Sequence, residues 1–184
     1  MSLGLDLYYV TSVPLELVDL AKKELMECQS YDAATELDGS TRDHFSRNTT
    51  VRFAPEYHWF NGVMYQIGQE ANAKMGWNFL INQRETIQFA EYKDNQHYNW
   101  HMDTFLLSGK PTDRKVTVVC VMSDPKEFVG GSLQLQDFYG NPIAPELKKG
   151  DVIAFPSFLI HRVNPVAAGV RYSAAMWLSG PAFK

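Results

Sequence analysis

Apolar positions change their spacing about halfway along the chain. A strand-like run at residues 5–10 (LDLYYV) is followed by Ser12 and Pro14, which mark a helix start, and by Leu17, Leu20, Ala21, Leu25 and Cys28 at helical intervals. That spacing predicts a helix to about Cys28. Residues 38–53 (DGSTRDHFSRNTTVRF) are polar and read as a loop. Tyr57, Phe60, Met64, Ile67 and Ala71 then predict a second amphipathic helix ending near Gly76.

Beyond this point the period shortens. Residues 84–93 (RETIQFAEYK), 114–122 (RKVTVVCVM), 131–136 (GSLQLQ), 151–156 (DVIAFP), 161–166 (HRVNPV) and 170–178 (VRYSAAMWL) are short, β-branched or aromatic, and often alternating. Gly130-Gly131, Gly140-Asn141-Pro142 and Lys149-Gly150-Asp151 punctuate them as turns. Helices first and short strands after predict an α+β chain, mainly β, whose second part is a sandwich, jelly roll or barrel. The expected organisation is one domain over residues 1–184, helical to about residue 80, with the β core at about 81–180.

Composition narrows the function more than the fold. With 45% hydrophobic and 21% charged residues the chain can bury a core without staples. A net charge of -4 and a pI near 5.7 disfavour a general nucleic-acid binder. The only cysteines, Cys28 and Cys120, are too few for a disulfide framework, so a reducing cytoplasm is the expected location. Asp6 and Pro14 interrupt the N-terminal apolar run, and no uninterrupted apolar stretch reaches about 18 residues, so neither a signal peptide nor a membrane span is expected.

The candidate chemistry starts in residues 95–105 (NQHYNWHMDTF). On a strand, positions i and i+2 face the same way, so His101 and Asp103 can present an imidazole and a carboxylate to one point. A lone His-x-Asp is a weak signal, and a reactive metal needs a third ligand. His161, on another strand-like segment, is the best candidate. Two histidines and a carboxylate make the facial triad of non-haem Fe(II), although the same ligand types also suit zinc. Arg171 and Ser173, on one face of the last strand, suit a carboxylate clamp and thereby a dicarboxylate such as 2-oxoglutarate. His44, His58 and His97 lack matching partners and read as surface or structural groups.

Taken in order, Tyr92, Tyr98, His101-x-Asp103, Gly130-Gly131, His161, Arg171-x-Ser173 and Trp177 resemble the Fe(II)/2-oxoglutarate-dependent dioxygenases, and most closely the prolyl 4-hydroxylase-like branch. The resemblance covers about half the chain, from Arg84 to Leu178. Asn95 departs from it, standing where many relatives have glycine. The resemblance implies a double-stranded β-helix, a cupin-like jelly-roll variant, with N-terminal supporting helices. It implies Fe(II) as cofactor, 2-oxoglutarate and dioxygen as cosubstrates, ascorbate as a supporting reductant, and hydroxylation with release of succinate and CO2. His101, Asp103 and His161 are the implied metal ligands. Arg171, Tyr92 and Ser173 are the implied cosubstrate contacts; Trp177 and Tyr98 line the pocket, and Arg114 contacts a substrate chain.

The implied partner is a peptide or protein presenting a prolyl residue, with no membrane. A free amino acid, another small molecule or an alkylated nucleobase is the alternative substrate, and a cupin-like metal-binding module without turnover is the non-enzymatic one. Residues 45–59 and 105–115 are the loops expected to set that choice, and oligomeric state is left open by the sequence.

Overall fold

The computed structural model describes residues 7–33, 35–37, 41–43, 45–105 and 109–183, with 35–37 and 41–43 described as backbone. Its first part contains β1 (Tyr9–Ser12), α1 (Leu15–Met26), β2 (Ser30–Ala33), β3 (Thr35–Leu37), β4 (Thr41–Asp43), β5 (Arg47–Phe53) and α2 (Trp59–Lys74). There follow β6 (Gln83–Arg84), β7 (Gln88–Tyr92), β8 (His97–His101), β9 (Thr112–Val121), β10 (Phe128–Gly130), β11 (Leu133–Gln136) and β12 (Pro142–Ile143). The last strands are β13 (Asp151–Pro156), β14 (His161–Val163), β15 (Val166–Gly169) and β16 (Arg171–Pro181).

A mainly antiparallel sheet runs in the order β1-β13-β9-β16-β7-β5-β8-β14-β11-β12 and curls on itself as a jelly-roll half-barrel. Period-2 alternation gives each central strand two jobs. On β9, Val116, Val118 and Cys120 face the helices, while Val119 belongs to a second core inside the curl. On β16, Ala174, Met176 and Leu178 face the helices, leaving Arg171, Ser173, Ala175 and Trp177 to line the interior.

The helices cover the outer face of this sheet. Val18, Ala21 and Leu25 of α1 and Phe60, Met64, Ile67 and Ala71 of α2 are buried against it, each large side chain contributing about 1.5–3 kcal/mol. Within α1 the expected stripe holds at Ala21 and Leu25, which are buried, but Leu17 and Leu20 are exposed and Val18 is buried in their stead. Gly68 lets α2 approach closely. A Cβ there would lie 2.7 Å from Leu178 Cδ2 and 2.9 Å from Val118 Cγ2, so Gly68→Leu is expected to cost about 2–3 kcal/mol by overpacking, read as a lower urea midpoint at unchanged slope. Cys120 is sealed under the same helices, and burial pushes its thiol up to about 12, which keeps it protonated and unreactive.

Three expectations change. The first strand is displaced to Tyr9–Ser12, with Leu5 and Asp6 outside the described residues. Residues 38–53 are not all loop, since Thr41–Asp43 pairs with Thr35–Leu37, and Arg47–Phe53 is a strand. That strand was concealed by its polarity: Thr49 and Val51 are buried on one face, while Arg52 on the other meets Glu91 at 3.2 Å. β5 pairs with β7 through Thr50–Phe53 and with β8 through Arg47 and Asn48, so it joins the two halves of the curl. Residues 161–166 also split, into β14 and the start of β15. Among the described residues, no helix is long and apolar enough to cross a membrane.

Candidate metal and cosubstrate site

His101 and His161 lie directly opposite each other in the β8 and β14 ladder, with ring centroids 4.1 Å apart. A register shift in this pair places Tyr98 opposite Val163 and His101 opposite His161, so three steps along β8 answer two along β14. Such a bulge re-aims side chains. Tyr98 and His101, which a regular strand would send to opposite faces, both line the interior cavity, and the Tyr98 ring stacks on the His101 imidazole.

Asp103 is not on the same strand as His101, contrary to the period-2 expectation. β8 ends at His101, and Asp103 lies in a bend beyond it, its backbone N–H donating to Ser157 O at 2.9 Å. Its carboxylate nevertheless reaches both histidines, with Oδ1 3.5 Å from His101 Nε2 and Oδ2 3.3 Å from His161 Nε2. One potential ligand atom from each of the three residues lies within 4.8 Å of the others. Thr117, in the middle of β9, donates its hydroxyl to Asp103 Oδ2 at 2.8 Å and lies 3.0 Å from Ser157 Oγ. Sequence reasoning passed over Thr117, although it is the one hydroxyl in an otherwise apolar run.

The donor set is prepared for a cation. His101 Nδ1 lies 2.7 Å from Asn99 O and His161 Nδ1 lies 2.9 Å from Leu159 O. A carbonyl only accepts, so in each ring Nδ1 carries a proton and Nε2 is the nitrogen that faces the carboxylate. Burial alone would raise the Asp103 carboxyl, but the imidazoles of His161 and His101 outweigh it and hold the group well below the usual carboxylate range. Burial likewise pushes His101 below its ordinary value, against the pull of Asp103. A divalent cation placed between the three groups would be met by an ionised carboxylate and, once any Nε2 proton is released, by two nitrogen lone pairs. Two imidazoles and one carboxylate fit Fe(II), and the ligand types also suit zinc.

Arg171 opens β16, paired across the ladder with Tyr92, and is almost wholly buried. Its Nη1 donates to Ser173 Oγ at 3.0 Å, and its guanidinium lies 5.3 Å from the Tyr92 ring. Tyr92, Ser173, Trp177 and Tyr98 line the same cavity as the three histidine and aspartate side chains, together with Gln88, which the sequence reading did not single out. The indole Nε1 of Trp177 is buried with no partner among the described residues. An unsatisfied buried donor costs about 1–3 kcal/mol, so an arriving acceptor would relieve it.

Arg114 stands apart from the cluster, held by Glu85 through Nε to Oε1 at 2.5 Å and Nη2 to Oε2 at 2.6 Å, with its guanidinium 3.9 Å from the Trp177 ring. Gly130 and Gly131 have φ of 80° and 62°, and a Cβ on Gly131 would meet Arg171 Cδ at 3.0 Å. The other histidines sit elsewhere: His58 caps α2, His97 bonds the carbonyls of Asn95 and Phe45, and His44 lies outside the described residues.

Comparison with known proteins agrees with this geometry. A PKHD-type hydroxylase of Pseudomonas putida (strain W619) is 34% identical over 90 residues, covering 47% of this chain and 39% of the relative. Another, from Idiomarina loihiensis, is 36% identical over 92 residues, covering 50% and 41%. The aligned region thus spans about two fifths of these relatives. Among solved structures, a P. putida prolyl-4-hydroxylase superposes with a TM-score of 0.75 at 17% identity, covering 96% of this chain and 94% of that one. A viral collagen prolyl hydroxylase from Paramecium bursaria Chlorella virus-1, solved as a 2OG complex, gives 0.68 at 20% identity, covering 95% and 97%. A Trichoplax adhaerens prolyl hydroxylase, solved with a hypoxia inducible factor peptide fragment, gives 0.64 at 14% identity, covering 94% and 83%. At these identities the superpositions establish the shared fold. The family model of the 2OG-Fe(II) oxygenase superfamily matches residues 87–179, just over half of the chain and the whole run from Ile87 to Ser179 that carries the cluster, and the chain belongs to that superfamily.

Proposed function

We propose that this chain is an Fe(II)- and 2-oxoglutarate-dependent dioxygenase that hydroxylates a prolyl residue in a peptide or protein, releasing succinate and CO2. The observation that carries the reading is the convergence of His101, Asp103 and His161 in one cavity with the buried Arg171 and Ser173. His101 Nε2, His161 Nε2 and the Asp103 carboxylate would hold the iron, which when bound supplies the activation of dioxygen. The protein's own part is positional. Thr117 holds Asp103 Oδ2, Asn99 O and Leu159 O hold the two imidazoles, and the Tyr98 ring restrains His101.

Arg171 and Ser173 would grip the distal carboxylate of 2-oxoglutarate by charge-assisted hydrogen bonds, with the Tyr92 hydroxyl as a further donor. The unpartnered Trp177 N–H and Gln88 at the other end of the cavity offer polar contacts to a substrate amide, and Arg114 at its edge a contact to a peptide chain. Prolyl substrates are favoured because the structural neighbours are prolyl hydroxylases, one of them bound to a peptide. Residues 1–184 are read as one domain, since both helices share a core with the sheet, and the two free cysteines suit a reducing cytoplasm.

Anaerobic addition of Fe(II) and 2-oxoglutarate should give a weak visible charge-transfer band, and succinate formation should rise with proline peptides but not with free amino acids. Stimulation by free amino acids alone would move the substrate class; no band and no succinate would leave a metal-binding module. Thr117→Val, nearly isosteric, should weaken Fe(II) binding about tenfold by freeing the carboxylate to rotate. Unchanged affinity in an Fe(II) titration would reduce Thr117 to a packing residue.

A further inference from the structure

A second cavity adjoins the one that holds the histidines and Asp103. At the Arg171 end of β16, six residues from Trp177, lies a cavity of about 700 Å³ whose walls include Val121, Phe128, Leu133 and Leu147. Arg171 and Leu133 line both this cavity and the one that holds the histidines and Asp103, so the arginine forms the partition between them. Its guanidinium has five N–H donors, and among the described residues its only side-chain hydrogen bond goes to Ser173. Five donors exceed what Ser173 and one 2-oxoglutarate carboxylate would use, so the guanidinium can serve a second acceptor on its other side. Gly131 keeps the partition thin, because its missing Cβ is what leaves room beside Arg171 Cδ and Val166 Cγ2. At the rim, exposed Lys148 adds a second positive charge, set against one acid, Glu146.

We propose that this rear cavity is a separate ligand site for an amphipathic aliphatic carboxylate, whose head group lies between Arg171 and Lys148 and whose chain runs along Val121, Phe128, Leu133 and Leu147. The two halves of the ligand follow from the two halves of the lining. The buried guanidinium of the partition selects an anion, with Lys148 at the rim as a second contact, and four apolar walls in a cavity far larger than a carboxylate favour a hydrocarbon tail. The site needs only the guanidinium and the cavity, not the iron chemistry.

Calorimetric titration of the metal-free protein with octanoate tests it. Octanoate should bind saturably at one site, at least tenfold more tightly than butyrate or the neutral octanamide. Leu147→Trp, which fills the cavity from its edge, and Lys148→Glu should each weaken octanoate at least tenfold, while leaving 2-oxoglutarate affinity in the presence of Fe(II) within twofold of the parent. Thermal melts establish that both variants are folded. Absence of saturable octanoate binding, equal affinity for butyrate or octanamide, or undiminished binding in both variants would overturn the proposal. Failure of the dioxygenase reading would appear instead as absent 2-oxoglutarate binding in the Fe(II)-loaded parent, with octanoate binding unaffected.

Discussion

Asp103→Ala should purify without iron and lose at least about 100-fold in Fe(II) affinity, more than the 10–100-fold typical of removing a partner behind a ligand. The physical reason is that Asp103 is the only negative charge in the cluster, contacting His101 Nε2 and His161 Nε2 from its two oxygens. Without it, two imidazoles are what remains of the three-ligand cluster. Metal analysis of anaerobically prepared protein, together with loss of the 2-oxoglutarate charge-transfer band, checks the result. Retention of stoichiometric iron would remove Asp103 from the ligand set. Because the side chain is buried, the variant's melting temperature has to be measured alongside, so that loss of metal is separated from loss of fold.

Arg171→Ala should leave iron content intact and raise the 2-oxoglutarate KM roughly 100-fold. A buried charge-assisted hydrogen bond contributes about 1.5–3 kcal/mol, and 1.36 kcal/mol is one factor of ten, so loss of the guanidinium fork removes about two factors. Arg171→Lys should fall between, because it keeps the charge and loses the planar fork. Succinate formation at varied 2-oxoglutarate checks both variants, and an unchanged KM would detach Arg171 from the cosubstrate. The split between the two experiments is itself diagnostic: Asp103 acts on the metal, Arg171 on the dicarboxylate. A general collapse of the cavity would move both readouts together.

Much of this site was legible because its residues sit on regular strands. Arg171, Ser173 and Trp177 alternate along β16, and the structure places all three in the interior as period 2 requires. His161 was expected on a strand and lies on β14. Thr117 is equally legible in principle, as the one hydroxyl in the apolar run from Val116 to Met122. Elsewhere the pattern misled. On α1, leucines at 17 and 20 looked like the packing face, yet Val18, Ala21 and Leu25 carry it, because the tilt of a helix on a sheet is set by its neighbours rather than by its most apolar stripe. β5 resembles a loop in sequence because one of its faces is charged, and its strand state depends on partners distant in sequence.

By itself the sequence determined the class of fold, the alternation that sends one set of residues inward, and the types of side chain available to bind iron and a dicarboxylate, since these depend on local periodicity and on the chemistry of individual groups. Only the tertiary structure decided how they meet. The bulge between β8 and β14 turns Tyr98 and His101 to the same side, the bend after β8 swings Asp103 onto Ser157 and Thr117, and carbonyls of Asn99 and Leu159 choose the nitrogen that each histidine presents. Those contacts join residues up to 65 positions apart in a register no local pattern encodes. The physical reason is that ladder hydrogen bonds and burial act between strands, so the geometry of the site exists only once the sheet has closed.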